Sequence, residues 1–195
     1  LDGQYPAIEQ RAKAGGAEIH WADETGLRSD DVRGRSYAPI GQTPEIRLNQ
    51  RREGLSIVSS VTNRGKVRFK SFEGGMNAAI LIDFMKRLVQ EARKENGAKV
   101  FLILDSLKVH HAKSVKAWLE QNKAHIEVFY LPSYSPELNP DEMLNANLKA
   151  AVTSKAPNRR KGQLKQAAIV HLRHLQKTPA KVKQFFQKDS VKYAA

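Results

Sequence analysis

Residues Lys99–Lys149 read KVFLILDSLKVHHAKSVKAWLEQNKAHIEVFYLPSYSPELNPDEMLNANLK, and this stretch decides the fold. Val100–Leu104 is a short apolar run rich in branched side chains, the pattern of a strand buried on both faces rather than of a helix. It ends on a charge, Asp105. A carboxylate at the C-terminal end of a central α/β strand stands at the rim of the sheet, where ligands and metals bind. Ala117, Trp118 and Leu119 among Lys and Glu predict a helix next, and Ile126–Tyr130 predicts a second short strand. A Pro-rich turn then delivers Asn139 and Pro140, an N-cap and a first helical position, so Glu142 falls in the opening turn of a further helix. Two carboxylates far apart in sequence can thereby meet at one sheet edge.

Upstream, Ile80, Leu81, Phe84, Leu88 and Ala92 recur at helical spacing, predicting an amphipathic helix over Asn77–Asn96 that ends at Asn96-Gly97. Asp83 within it reads as a surface charge. Leu55–Thr62 and Lys66–Phe72 are strand-like around the tight turn Asn63-Arg64-Gly65, and Ile46–Asn49 is another such segment, together a hairpin or meander. Further back, Ile19 and Trp21 alternate with His20 and Ala22, predicting a strand with one buried face that runs into Asp23-Glu24 and stops at Gly26. Successive strand residues face opposite ways, so Asp23 and Glu24 cannot both enter one site. Asp23 shares a face with Ile19 and Trp21 and is the inward one; an acid there is costly unless paired or metal-bound. The long loop Leu27–Arg47 carries Arg28, Arg33 and Arg35, which either grip phosphates or decorate a surface connection. Asp30 and Asp31 read as solvated turn residues, and residues 5–15 as a short helix. The order predicts an α/β fold with a mixed sheet flanked by helices.

A chain of 195 residues with 41% apolar and 27% charged residues is one globular domain with a real core and room for an appended arm. There is no cysteine, which excludes disulfides and thiolate metal sites and permits a reducing compartment. No apolar run approaches the roughly 20 residues needed to span a bilayer, and no signal peptide is visible. The first residue is Leu1, so the chain is expected to be part of something longer. Of the net charge of +13, residues 151–195 hold eleven Lys/Arg against Asp189 alone, a net +10, which leaves +3 for residues 1–150. A basic arm on a near-neutral body suits a polyanionic partner, although a solvated helical face would look the same. The expected division is a helical lead-in over residues 1–16, a remnant of a linker; a catalytic body over 17–153; and a basic helical extension over 154–195.

Asp23, Asp105 and Glu142 lie 82 and 37 residues apart, two of them at strand ends and one on a helix after a Pro-rich turn. Three carboxylates brought together raise one another's pKa unless a cation neutralises them. Hard oxygen ligands of this kind suit Mg²⁺ or Mn²⁺, and two such ions can clamp the attacking and leaving oxygens of a phosphoryl transfer.

The segments WADETG (Trp21–Gly26), LILDSLKVHH (Leu102–His111) and LPSYSPELNPDEMLNANLK (Leu131–Lys149) resemble the catalytic domain of DDE-superfamily transposases, of the bacterial insertion-sequence kind related to the mariner group. The YSPELNP turn followed by an acid is the most specific part, and His110 five residues after Asp105 supports it. The resemblance implies a ribonuclease-H-like fold with a five-stranded sheet, as in retroviral integrases, with Asp23, Asp105 and Glu142 as catalytic acids and ligands of two Mg²⁺ or Mn²⁺ ions. It further implies DNA as partner, both element ends and target duplex, with a possible homodimer, no membrane and no small-molecule cofactor. A cytoplasmic, nucleoid-associated setting in bacteria goes with it. Hydrolysis of a phosphodiester at the element end and joining of the freed 3′-hydroxyl to target DNA would be the activity.

Two features depart from the family: Ser106 stands where many relatives have Asn or Gly, and Asn145 where many have Trp. The helix-turn-helix region that such proteins carry ahead of the catalytic domain is not in this sequence, so recognition of element ends is expected to be absent from it. Asp141 competes with Glu142 for the third acid. On a helical wheel Leu144, Leu148 and Ala151 form the buried stripe with Asp141 at its edge, whereas Glu142 lies with Asn145 and Lys149 on the polar side, which favours Glu142. His110, Asn139 and Asn145 are expected to support the site. His110 and His111 read either as polar residues leading a helix or, for His110, as a group that orients a phosphate near Asp105. Arg33, Arg35, Lys108, Lys149, Arg159, Arg160 and Lys161 are the expected DNA contacts. Tyr134 and Pro136 read as turn scaffolding, and Trp21 and Trp118 as core. Gln163–Lys177 predicts a helix, and Lys181–Lys188 a segment packed back through Val182, Phe185 and Phe186. A nuclease of the same fold, and a DNA-binding relative with a dead site, are the rival readings.

Overall fold

Glu18–Arg28 forms the first and longest strand (β1). Gly54–Val61 (β2) and Val67–Phe72 (β3) continue from it as an antiparallel meander, and Val100–Leu104 (β4) and Ile126–Tyr130 (β5) add to its other side in parallel. The sheet order is β3-β2-β1-β4-β5, which leaves β1 at the centre. Helices fill the connections: Tyr5–Gly15 (α1), Ala78–Glu95 (α2), Lys113–Gln121 (α3), Asp141–Thr153 (α4), Gln163–Gln176 (α5) and Pro179–Phe185 (α6). This computed structural model describes residues 5–31, 37–43, 45, 52–95, 97–132, 135–153 and 160–195.

The continuous apolar run of β4 follows from helices on both sheet faces. Ile103 packs with Trp21, Leu144, Leu148 and Leu172, while Leu102 and Leu104 pack with Leu81, Phe84 and Met85 of α2. A strand covered on both sides has no polar face to reveal its period. α4, α5 and α6 therefore form one layer and α2 with α3 the other. The basic C-terminal segment is part of the core: Leu164, Ala168, Leu172, Leu175 and Val182 are buried, and Phe186 meets Trp21 edge-on with ring centroids 5.3 Å apart. Its Lys and Arg residues decorate the outside of helices whose inner faces complete the sheet's packing. Among the described residues no helix is long and apolar enough to cross a membrane.

Two expectations are corrected. β1 does not stop at Gly26 but pairs with β2 as far as Arg28 opposite Gly54, because Gly26 faces Ser56 within an unbroken antiparallel ladder. Trp118 is half-buried at the margin of the α2 layer rather than in the core, since only Val115 of α3 is buried. The expected strand Ile46–Asn49 lies outside the described residues. Asp83 is a surface charge as read, paired with Lys70 of β3.

Candidate active site

The parallel register between β1 and β4 ends at Trp21 opposite Ile103. Two residues further along each chain stand Asp23 and Asp105, so both acids emerge where the two strands part. β4 has ended, while β1 runs on beside β2 with Asp23 opposite Ser59. The chain leaving β5 passes the short helical turn Pro136–Leu138 and enters α4. Asn139 fixes that entry twice: its Oδ1 accepts from the Asp141 backbone N–H at 3.0 Å, capping the helix, and its Nδ2 donates to the Ala22 carbonyl at 3.1 Å, tying the helix to β1. Glu142 thus opens α4 beside Asp23 of β1 and the end of β4. Asp23, Asp105 and Glu142 border one cavity of about 330 Å³, together with Ser106, Leu107 and Pro136.

Each acid is held differently. Asp23 accepts from the Glu24 backbone N–H at 2.8 Å through Oδ1 and from Asn145 Nδ2 at 3.0 Å through Oδ2. Its pKa is nonetheless pushed up to about 7, first by burial and then by the negative charges of Glu142 and Asp105. Asp105 is gripped by His110, whose Nδ1 lies 2.8 Å from the Asp105 carbonyl and 3.1 Å from its Oδ1. Burial works against a charged His110 ring, but the hydrogen bonds and charge of Asp105 outweigh it and raise its pKa. Glu24, on the other face of β1, accepts from the Met76 backbone N–H instead of joining the cavity.

The neighbouring acid, Asp141, is wholly buried and absent from the cavity wall. Ser59 Oγ donates to its Oδ2 at 2.7 Å, while Oδ1 has no hydrogen-bond partner among the described residues. Burial foremost, then the charge of Asp23, raises its pKa well above the ordinary aspartate value. Of the two neighbouring acids, the cavity wall carries Glu142 and not Asp141. Asn145 departs from the polar side of α4 on which the wheel set it: it is buried and hydrogen-bonded to Asp23, beside the site it was expected to support. His110 also departs from its phosphate-orienting role, because its ring is buried against Asp105 itself.

Of the expected DNA contacts, Lys108 is exposed in the turn Lys108–His111, and Lys149 is half-buried on α4, two turns beyond Glu142. Arg160 and Lys161 are exposed ahead of α5, whereas Arg33, Arg35, Arg159 and Tyr134 lie outside the described residues. Sequence reasoning missed Ser59, whose register partner is Asp23, and Ser106, which lines the cavity; only its place next to Asp105 marked the latter.

Whether this donor set suits divalent cations can be tested on its own chemistry. The carboxylates border the cavity without closing round a point, and among the described residues no three His, Asp or Glu side chains are grouped tightly enough to cage an ion. Carboxylates on an open wall, with the pKa of Asp23 pushed up by burial and by the charges of Glu142 and Asp105, suit a hard cation that keeps water or phosphate oxygens in its shell. The residues fit.

Residues 18–165 match the family model of the DDE superfamily endonuclease. The fold is similar to that of Mos1 transposase in a paired-end complex with the left transposon end (TM-score 0.66, 19% identity, 97% of this chain and 60% of that one). It is similar also to the Mos1 mariner paired-end complex with Mn (0.64, 19%, 97% and 60%) and to the catalytic domain of Mos1 mariner transposase (0.61, 17%, 97% and 89%). The chain thus spans about 60% of the length of the Mos1 chains in those DNA complexes, and their architecture is the ribonuclease-H-like sheet seen here. No curated protein matches the sequence significantly.

Proposed function

Because the chain belongs to the DDE superfamily of endonucleases, we propose that it is the catalytic domain of a metal-dependent DNA transposase. It would cut a phosphodiester at the end of a mobile element and join the freed 3′-hydroxyl to target DNA. The observation that carries this reading is the convergence of Asp23, Asp105 and Glu142 on one cavity, with Asp23 raised to about 7 by burial and by its acidic neighbours. A structural role would leave such acids paired with Lys or Arg.

The protein's own part in the reaction is pre-organisation. Asn145 and the Glu24 N–H occupy one lone pair on each Asp23 oxygen, His110 locks Asp105 through backbone and side chain, and Asn139 sets the angle at which Glu142 arrives. Asp23 releases its proton near neutrality, which leaves the trio free to accept positive charge. Mg²⁺ or Mn²⁺ held by Asp23, Asp105 and Glu142, two ions in this proposal, would activate the attacking oxygen and stabilise the leaving one in an in-line displacement at phosphorus. Lys108, Lys149, Arg160 and Lys161 would carry the DNA backbone, in a homodimer that pairs two ends. Its place would be with the bacterial nucleoid in the cytoplasm.

Asp105→Asn tests the reading. It should abolish Mg²⁺-dependent nicking while leaving DNA affinity within about twofold, because phosphate contacts supply most of that affinity. Unchanged nicking by this variant would overturn the assignment.

A further inference from the structure

Two consecutive histidines clasp two consecutive residues at the cavity rim. His110 holds Asp105, and His111 Nε2 lies 2.9 Å from Ser106 Oγ, the same five-residue reach repeated one step on. The second clasp has its own support on β5. The Tyr130 ring lies against the His111 ring, centroids 4.4 Å apart and planes 38° apart, and the Tyr130 hydroxyl donates to the His110 carbonyl at 3.2 Å. Asp105 needs only the first histidine. The second, with its aromatic backing, serves a serine hydroxyl on the wall of the acid-lined cavity.

We propose that Ser106 contacts the substrate, donating its hydroxyl to a non-bridging oxygen of the scissile phosphodiester, and that His111 is its positioning residue. This rests on the reading of the cavity as a phosphodiester-cleaving site. When the Nε2–H of His111 donates to Ser106 Oγ, the serine proton has to point away from the ring. Ser106 is exposed and borders the same cavity as Asp23, Asp105 and Glu142, so an anionic oxygen entering there meets that proton. A donor to the hydroxyl oxygen also polarises the O–H bond and strengthens what it donates. Hydrogen bonds to charged groups are about twice as strong as neutral ones, so the contact is felt in turnover. Neutral His111 in the Nε2–H tautomer suffices, and no proton is transferred.

The test uses Mn²⁺-dependent nicking of supercoiled plasmid by the whole chain. Ser106→Ala should lower kcat/KM by about tenfold or more, the usual effect of losing a hydrogen bond to a charged group. His111→Phe keeps a ring against Tyr130 but removes the donor, and should cause a loss of the same order. The double variant should be no worse than Ser106→Ala, because the two side chains act as one unit. Ser106→Thr retains the hydroxyl and should stay within about threefold of wild type by the same reasoning. Mn²⁺ affinity by calorimetry and the melting temperature should be unchanged in all four. Wild-type kcat/KM in Ser106→Ala, additive losses in the double variant, or a parallel loss of Mn²⁺ affinity would each overturn the proposal; the last would reduce the clasp to a support for Asp105. Asp105→Asn separates the two levels. If it too nicks normally, the cavity is not the active site. If it is dead while Ser106→Ala is unaffected, only the role of Ser106 falls.

Discussion

Asn145 on α4 donates its side-chain amide to Asp23 on β1 at 3.0 Å, across 122 residues of chain. The contact joins the helix that carries the third acid to the strand that carries the first. It also gives Asp23 a donor on the oxygen that the backbone leaves open.

Replacing Asn145 by Leu removes that donor while filling the space. Losing a hydrogen bond to the charged form raises a carboxyl pKa, so Asp23 should titrate above its present value of about 7. A stability loss of about 1–3 kcal/mol should accompany it, the cost of leaving a buried polar group unsatisfied. Carboxyl-carbon NMR of Asp23 and urea denaturation measure the two effects. An unmoved Asp23 titration would show that the contact does not hold the charge.

The raised pKa of Asp23 makes metal-free stability depend on pH. Unfolded, the group titrates near 3.8, and folded it titrates near 7. Between those values the native state keeps a proton that the unfolded chain has lost, so this group's contribution falls as pH rises through the window and is spent above it. Asp23→Asn should flatten that fall, the difference between the two proteins isolating Asp23 from other titrating groups. Mn²⁺ should raise the melting temperature more at about pH 8 than at about pH 5, because at low pH protons compete for the same oxygens.

Asp141 and Glu142 are adjacent acids with opposite fates. Asp141 is buried away from the cavity and accepts from Ser59, a contact the carbonyl oxygen of the isosteric amide can keep, so Asp141→Asn should keep most nicking activity, with a stability change of about 1 kcal/mol or less. Glu142→Gln takes a carboxylate off the cavity wall and should remove activity without unfolding the protein. Parallel melts and plasmid nicking decide the matter; an inactive Asp141→Asn beside an active Glu142→Gln would reverse the assignment.

Gly65, in the turn between β2 and β3, has a φ of +88°, and a Cβ there would lie 2.5 Å from the Pro179 carbonyl oxygen at the start of α6. Alanine would add left-handed strain to a backbone collision. Gly65→Ala should cost roughly 2–4 kcal/mol in urea denaturation, combining the usual costs of strain and overpacking. A loss below about 1 kcal/mol would mean that α6 can withdraw from the turn.

Local pattern alone settled a good part of this molecule. A branched apolar run ending on Asp105, a cap and proline ahead of Glu142, and an inward acid on the first strand are statements about neighbours in sequence, and such statements survive folding. The wheel of α4 likewise separated Glu142 from Asp141, because burial at 3.6-residue spacing is a local property. Tertiary structure decided what local pattern cannot carry. A polar residue off the apolar stripe can meet solvent or another element, and Asn145 met Asp23 only because β1 passes beneath α4. β1 outran Gly26 because β2, arriving after a long loop, supplied a ladder. Ser59 and Asp141 form a pair across 82 residues because α4 packs over β2, a contact that spacing along the chain does not reveal.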